Sequence, residues 1–180
     1  VGVLAAPGAT MFEQMKYFEQ QADWFRLLML REPRGYPRSC VNVLLPPTDP
    51  RADAGFVIME QSALYATMSG TNLMVVTTVL LETGLLQQTE PVTTLLLEVH
   101  AGLIEVRARC EGGRVRLVEC ENVPSFATAV DVPVEVPGFG TVLGCSGRRG
   151  VRGGVGSRRL GCGRGRARDG FGGVGRCGLQ

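Results

Sequence analysis

The sequence of 180 residues predicts an α+β domain over residues 1–142, followed by a Gly/Arg-rich tail over residues 143–180. Three observations support this prediction. An amphipathic helix pattern stands near the start, a short and largely apolar helix lies in the middle, and strand-like segments dominate the remainder. An antiparallel or mixed sheet that wraps around the central apolar helix would bury the apolar faces of both.

The first helix is predicted from its start signal and its apolar spacing. Thr10 and Glu13 form the pattern of a capping box, in which each side chain satisfies a backbone N–H at the helix start. Apolar residues then recur at alternating steps of four and three, which keeps them on one helical face. They are Met11, Met15, Phe18, Ala22, Phe25 and Met29. We expect one helix that ends before Pro33, because proline disfavours helical backbone in the residue before it.

The central helix lies between two groups of strands. Two apolar runs, Cys40–Leu45 and Gly55–Met59, read as strands on either side of a proline-rich stretch at 46–50. The segment Thr71–Thr83 is predicted to be a largely buried helix, with Gly84 as its C-terminal stop. Strands follow at Thr93–Val99, Leu103–Cys110, Arg114–Asn122, Ala127–Val132 and around Val134–Val136, with turns at Gly112-Gly113 and Pro137-Gly138.

The last part of the chain has a different composition. Residues 144–180 contain 14 glycines and nine arginines, with Asp169 as the one acidic residue, whereas the rest of the chain carries a net negative charge. Such a segment cannot bury enough apolar surface to offset its chain entropy, so we expect it to be disordered. We interpret it as a frameshift after Val142, because Ala, Val and Asp codons of a G/C-rich gene read in a shifted frame encode mostly Arg, Gly and Cys. An arginine-rich arm attracts phosphates, but Phe171 is its one aromatic residue, so we do not expect nucleic-acid binding.

Metal, membrane and secretion signals are weak. None of the six cysteines forms a C-x-x-C pair, and His100 is the one histidine, at a strand end where we expect a surface position. We therefore predict no metal site. No apolar stretch is long enough to span a bilayer, and no secretory signal is present, so we expect a cytoplasmic protein with reduced thiols. The chain begins with Val1 in what reads as a strand end, and we expect that upstream sequence is missing.

A motif at the start of the central helix resembles a known family. Met68-Ser-Gly-Thr-Asn72 is similar to the M-C-G-H-type motif of the proline racemase family. Seven further segments resemble that family in the same order along the chain. They are Pro7–Met11, Leu30–Gly35, Ala52–Gly55, Leu81–Gly84, Pro91–Thr93, Ala101–Leu103 and Asn122–Phe126. Each match is weak alone, but their shared order over about 140 residues identifies the domain as the N-terminal lobe of a proline racemase-like enzyme.

The resemblance implies a fold, a reaction and a set of site residues. The fold is that of diaminopimelate epimerase, with two α/β lobes around a substrate cleft. The family removes the Cα proton of an imino acid from one face and returns one to the other, with an acid/base group on each lobe and neither cofactor nor metal. By this resemblance Ser69 is one such group, and the backbone amides of Gly70, Thr71 and Asn72 bind the substrate carboxylate. Arg34 could contact the substrate, although a solvated arginine at a helix end is an equally good reading. The intact family could form homodimers.

Two departures from the family pattern leave alternatives open. Ser69 replaces the usual cysteine, and an alcohol is a weaker acid than a thiol, so this hydroxyl is a poor base without activation. Serine at this position is linked to hydroxyproline epimerisation or dehydration. The motifs of the second lobe are absent, so we expect an incomplete and inactive copy of a proline racemase or hydroxyproline 2-epimerase. The alternatives are a trans-3-hydroxyproline dehydratase, a non-enzymatic fragment with a basic tail, and a structural role for Ser69 as a helix cap only.

Overall fold

A computed structural model describes residues 3–121 and 125–149. In this part of the chain the elements are, in order, α1 (Met11–Gln20), α2 (Asp23–Leu30), β1 (Cys40–Leu45), β2 (Ala54–Glu60), β3 (Tyr65–Ala66), α3 (Gly70–Glu82), β4 (Val92–Val99), β5 (Gly102–Glu111), β6 (Arg114–Cys120), β7 (Ser125–Val136) and β8 (Gly140–Arg149). The predicted α+β class is confirmed, and the central helix and most strands begin within one residue of their predicted positions.

The start of the first helix follows the sequence prediction. The Thr10 hydroxyl accepts a hydrogen bond from the backbone N–H of Glu13 at 3.2 Å. The Glu13 carboxylate reaches back and accepts from the backbone N–H of Ala9 at 2.7 Å, one residue earlier than a standard capping box would place it. Two amides at the start of α1 are thereby satisfied.

The prediction of one uninterrupted helix is wrong, because the chain forms α1 and α2 with a break at Gln21 and Ala22. The break turns a new face of the second helix toward the core. Arg26 and Leu30 are buried on α2, whereas Met29, which belonged to the predicted apolar stripe, is 37% exposed. The helical spacing of apolar residues therefore continues in the sequence beyond Gln20, where α1 ends.

The main sheet has the order β1-β2-β4-β5-β6, with β3 paired to the free part of β2. All neighbouring pairs are antiparallel except β2 and β4, which run parallel at Ala54 and Leu97. Asp53 extends this parallel pair, since its N–H donates to the Leu96 carbonyl at 2.8 Å and its carboxylate accepts from the Leu96 N–H at 2.7 Å. The predicted antiparallel or mixed sheet is thus a mixed one.

Two apolar cores lie on opposite faces of β1 and β2. Residues of one parity pack with α3, and residues of the other parity pack with α1 and α2. The α3 core includes Leu44, Phe56, Ile58, Leu73, Leu80 and Leu97. The second core includes Met11, Met15, Phe18, Val43, Val57 and Met59. The predicted arrangement of a sheet around a central apolar helix is confirmed, and burial on both faces explains why β2 reads as an unbroken apolar run.

The strands β7 and β8 form a separate two-stranded antiparallel sheet. The two strands predicted between Ala127 and Val136 are one strand with local irregularities, and Asp131 has a positive φ of 55° within it. β8 continues to Arg149, beyond the predicted end of the domain at Val142. Main-chain pairing with β7 does not require the side-chain alternation that the prediction relied on. The rest of the tail, which was predicted to be disordered, lies outside the described residues. Residues 122–124 of the Asn122–Phe126 segment also lie outside them.

No helix in the two described ranges is long and apolar enough to cross a membrane.

Candidate active site

The N-terminus of α3 forms the centre of the candidate site. Ser69 is the N-cap residue, with extended backbone angles of φ −142° and ψ 122°, and its carbonyl accepts from the N–H of Leu73 at 2.9 Å. Just upstream, Met68 is buried in the α3 core. These contacts fix the point at which the chain enters the helix. Ser69 itself is partly exposed, so its side chain lies where a ligand could reach it.

The Ser69 hydroxyl does not cap the helix, although serine is among the preferred capping residues. The first amides of an α-helix have no partner within the helix. Among residues 3–121 and 125–149, no carbonyl or side chain accepts from the amides of Gly70, Thr71 or Asn72. Three donors at the positive end of the helix dipole therefore remain available to an anion.

The Asn72 side chain holds the Ser69 hydroxyl instead. Its Nδ2 donates to Ser69 Oγ at 3.0 Å, and its Oδ1 accepts from the Cys40 thiol at 3.1 Å. Asn72 is buried, whereas Cys40 is exposed at the first position of β1. From the sequence, Asn72 was expected to act through its backbone amide, and neither the role of its side chain nor its contact with Cys40 was predicted. No local signal joins these residues, since only the sheet brings β1 to the start of α3.

A buried polar network anchors the segment that precedes Ser69. Arg26 is 5% exposed and forms a two-pronged ion pair with Asp23, with N···O distances of 2.6 and 2.7 Å. It also donates to the carbonyl of Gln61 at 2.9 Å. The Tyr65 hydroxyl of β3 donates to the Asp23 carboxylate at 2.9 Å. The hydrogen bond from Arg26 lowers the pKa of Asp23, and burial, with the bond to Asp23, raises the pKa of Tyr65. This network ties β3 to α2.

Arg34, the remaining predicted site residue, is exposed in the turn after α2. Its backbone N–H donates to the Arg31 carbonyl at 3.1 Å. Within the described ranges its guanidinium makes no hydrogen bond or ion pair, with α3 or with any other element. The chain from Arg34 leads into Cys40, which touches Asn72. A contact between Arg34 and a substrate stays a prediction.

A shallow cavity of about 420 Å³ lies beside the start of β1. Ser69 and the α3 amides do not line it. Its walls are Pro37, Arg38, Ser39, Cys40, Glu60, Gln61 and Ser62. Cys40 is the residue that this cavity shares with the hydrogen-bonded chain to Ser69.

His100 does not occupy the open surface position expected from the sequence. Its Nδ1 is buried and has no hydrogen-bond partner among the described residues. Burial lowers the pKa of His100 to about 4, while Glu19 opposes this shift and Lys16 adds to it. The ring is therefore neutral at pH 7, and it lies close enough to α1 for the charges of Lys16 and Glu19 to act on it. In the described part of the chain, no three His, Cys, Asp or Glu side chains cluster as metal ligands would.

Comparison with known proteins shows the family to which the chain belongs. The sequence profile of the proline racemase family matches residues 1–145. The chain belongs to the proline racemase family. The resemblance carried by the Met68–Asn72 motif and its collinear neighbours is thus confirmed.

Two solved structures show the extent of the similarity. A hydroxyproline epimerase from Agrobacterium vitis, with bound trans-4-hydroxy-L-proline, is 35% identical with a TM-score of 0.76, and the match covers 81% of this chain and 43% of that one. A probable proline racemase from Agrobacterium radiobacter K84, with bound carbonate, is 37% identical with a TM-score of 0.76, and the match covers 82% and 44%. The proline racemase-like fold, of the diaminopimelate epimerase type, is confirmed. The chain spans less than half the length of either protein.

Proposed function

We propose that this chain contributes one half of the active site of an imino-acid isomerase, either a hydroxyproline 2-epimerase or a proline racemase. The observation that carries the proposal is the uncapped N-terminus of α3. There Ser69 lies beside three backbone N–H groups that donate to no acceptor among the described residues. Membership of the family and similarity to a hydroxyproline epimerase support this assignment. We propose a cytoplasmic enzyme that needs no cofactor.

The carboxylate of the substrate would bind to the amides of Gly70, Thr71 and Asn72. These donors, with the helix dipole, favour a small anion. A carboxylate bound there would bring its Cα close to Ser69, the proposed acid/base group on this side. The negative charge that develops when Cα loses its proton would also be stabilised by the nearby helix N-terminus. Arg34, exposed and without a partner in the described ranges, would add a second contact to the ligand.

Inversion at Cα requires a second acid/base group on the opposite face of the substrate. Ser69 has one polar side chain as its hydrogen-bond partner in the described part, that of Asn72. The chain also matches less than half of each solved relative. We therefore propose that residues 1–180 bind an imino acid but do not invert it by themselves.

Binding and turnover test these two statements separately. Calorimetric titration should detect trans-4-hydroxy-L-proline binding, and its carboxamide analogue should bind at least tenfold more weakly because it lacks the anion. Polarimetry with L-proline and with trans-4-hydroxy-L-proline should show no rotation change. Equal binding of acid and amide would refute the carboxylate site, and measurable epimerisation would refute the half-site assignment.

A second candidate is a lyase that eliminates water from trans-3-hydroxyproline. The presence of one proposed acid/base group, Ser69, favours it, because elimination removes the same Cα proton but returns none to the opposite face. One acid/base group on this side of Cα therefore meets more of the needs of elimination than of inversion. Release of a pyrroline carboxylate from trans-3-hydroxy-L-proline, abolished by Ser69→Ala, would establish this activity in place of the epimerase.

A further inference from the structure

We propose that the Asn72 side chain is a positioning residue that keeps the Ser69 hydroxyl out of the helix cap, so that the α3 amides stay open. The proposal rests on the proposed function for the identity of the ligand, but its geometric content can be tested without any ligand. The start of α3 differs from ordinary helix starts, because its N-cap serine makes no capping hydrogen bond.

In ordinary capping, the hydroxyl of an N-cap serine accepts from the backbone N–H two or three residues later. At α3 that would be the amide of Thr71 or Asn72. Here Oγ accepts from the Asn72 carboxamide at 3.0 Å and makes no capping bond. A side-chain donor has replaced a backbone donor at the same oxygen. The backbone donors are thereby left free for a ligand.

The orientation of the carboxamide is fixed from its other end. Cys40 donates its thiol hydrogen to Asn72 Oδ1 at 3.1 Å, so Nδ2 is left to face Ser69. Asn72 is 8% exposed, and burial in a packed core limits its alternative rotamers. Both polar atoms of the buried carboxamide thus have a hydrogen-bond partner, Oδ1 in Cys40 and Nδ2 in Ser69.

This arrangement has a chemical consequence for Ser69. An N–H donated to Oγ stabilises that oxygen when it carries negative charge, as does the adjacent helix N-terminus. It also leaves the hydroxyl hydrogen free to point toward a ligand. Asn72 would therefore both free the carboxylate-binding amides and prepare Ser69 for proton transfer.

Removal of the carboxamide should let Ser69 rotate into the cap. In Asn72→Ala, the amides at positions 71 and 72 should exchange with water about fivefold more slowly, the factor that corresponds to a capping bond of ~1 kcal/mol. Asn72→Leu, which fills the space left by the carboxamide and favours the helix, should behave alike if the alanine variant proves too unstable. Thr78→Ala, later in the same helix, is the matched control and should leave these exchange rates unchanged.

The decisive variant is the double change Ser69→Ala with Asn72→Ala. Without a hydroxyl there is nothing to enter the cap, so exchange should return to the wild-type rate or faster. Water-exchange NMR of the amides at 70–72 measures all of these rates. Slow exchange in the single variant and fast exchange in the double variant is the expected result. Equal rates in the wild type and the single variant, or slow exchange that persists in the double variant, would overturn the proposal.

Ligand titration then separates this inference from the proposed function. Asn72→Ala should weaken trans-4-hydroxy-L-proline binding about fivefold, because the ligand must displace the serine. If the wild-type chain binds no imino acid but the exchange pattern appears as described, the positioning role of Asn72 is supported and the proposed function fails. Cys40→Ser, which retains a donor to Asn72, should match the wild-type rates, whereas Cys40→Ala should move them toward those of Asn72→Ala.

Discussion

The partly buried His100 gives a prediction about how the stability of the chain depends on pH. His100 carries a buried Nδ1 with no hydrogen-bond partner in the described part, and burial lowers its pKa from 6.5 to about 4. The unfolded chain therefore binds more protons than the folded chain between these two values. It follows that His100 contributes stability that is complete above pH 6.5 and is lost as the pH falls toward 4.

The magnitude follows from the same two pKa values. One pKa unit corresponds to ~1.4 kcal/mol, so the full difference is worth about 3 kcal/mol. Between pH 7 and pH 5 the linkage relation gives about 2 kcal/mol, because the unfolded histidine is almost fully charged at pH 5 while the folded one is still neutral. This interval also avoids most of the carboxylate titration at lower pH.

Urea unfolding at the two pH values tests the prediction. The wild-type chain should lose about 2 kcal/mol from pH 7 to pH 5 through this residue, and His100→Gln should show a correspondingly flatter pH dependence. Because the chain has one histidine, NMR titration of its ring protons gives an independent measure, with a midpoint near pH 4 expected in the folded state. Equal pH dependence in the two proteins, together with a folded midpoint near 6.5, would show that the ring is hydrated.

Three further predictions concern the framework of the site, each measured by chemical denaturation at pH 7. Leu73→Ala should cost about 3–5 kcal/mol because Leu73 is fully buried in the α3 core, whereas Val75→Ala, at a half-exposed position, should cost less than about 1 kcal/mol. Arg26→Met should cost about 1–3 kcal/mol, since the Gln61 carbonyl and the partly exposed Asp23 carboxylate both lose a donor; a loss below about 0.5 kcal/mol would mean that water replaces the guanidinium. Gly35→Ala should destabilise the chain by more than about 2 kcal/mol, because a Cβ there would overlap a backbone carbonyl of α2.

Much of the fold could be predicted because local signals and packing agree. The central helix was found from its apolar run and its glycine stop, and β1 from an apolar segment that ends at a proline. The break between α1 and α2 could not be found in this way, since the apolar spacing continues through Ala22 and Phe25. After the break, α2 places Arg26 against the turn between β2 and β3, where it donates to the Gln61 carbonyl, a tertiary contact that the local pattern does not encode.

The site was predictable as a motif but not as a geometry. The family resemblance located Ser69 and the amides that follow it. The exchange of partners at Ser69 depends on Asn72 and on Cys40, which lies on a different element. Such a contact between β1 and α3 leaves no periodic or spacing signal in one sequence. The same holds for His100, whose burial results from the packing of the β4–β5 turn near α1.

We propose above all that an imino-acid carboxylate binds at the start of α3. Amide NMR during titration with trans-4-hydroxy-L-proline measures this most directly. We predict saturable shift changes that are largest at the amides of Gly70, Thr71 and Asn72, with little change at the α3 C-terminus. Saturable changes confined to the cavity beside β1, or no change at any of the three amides at saturating ligand, would contradict it.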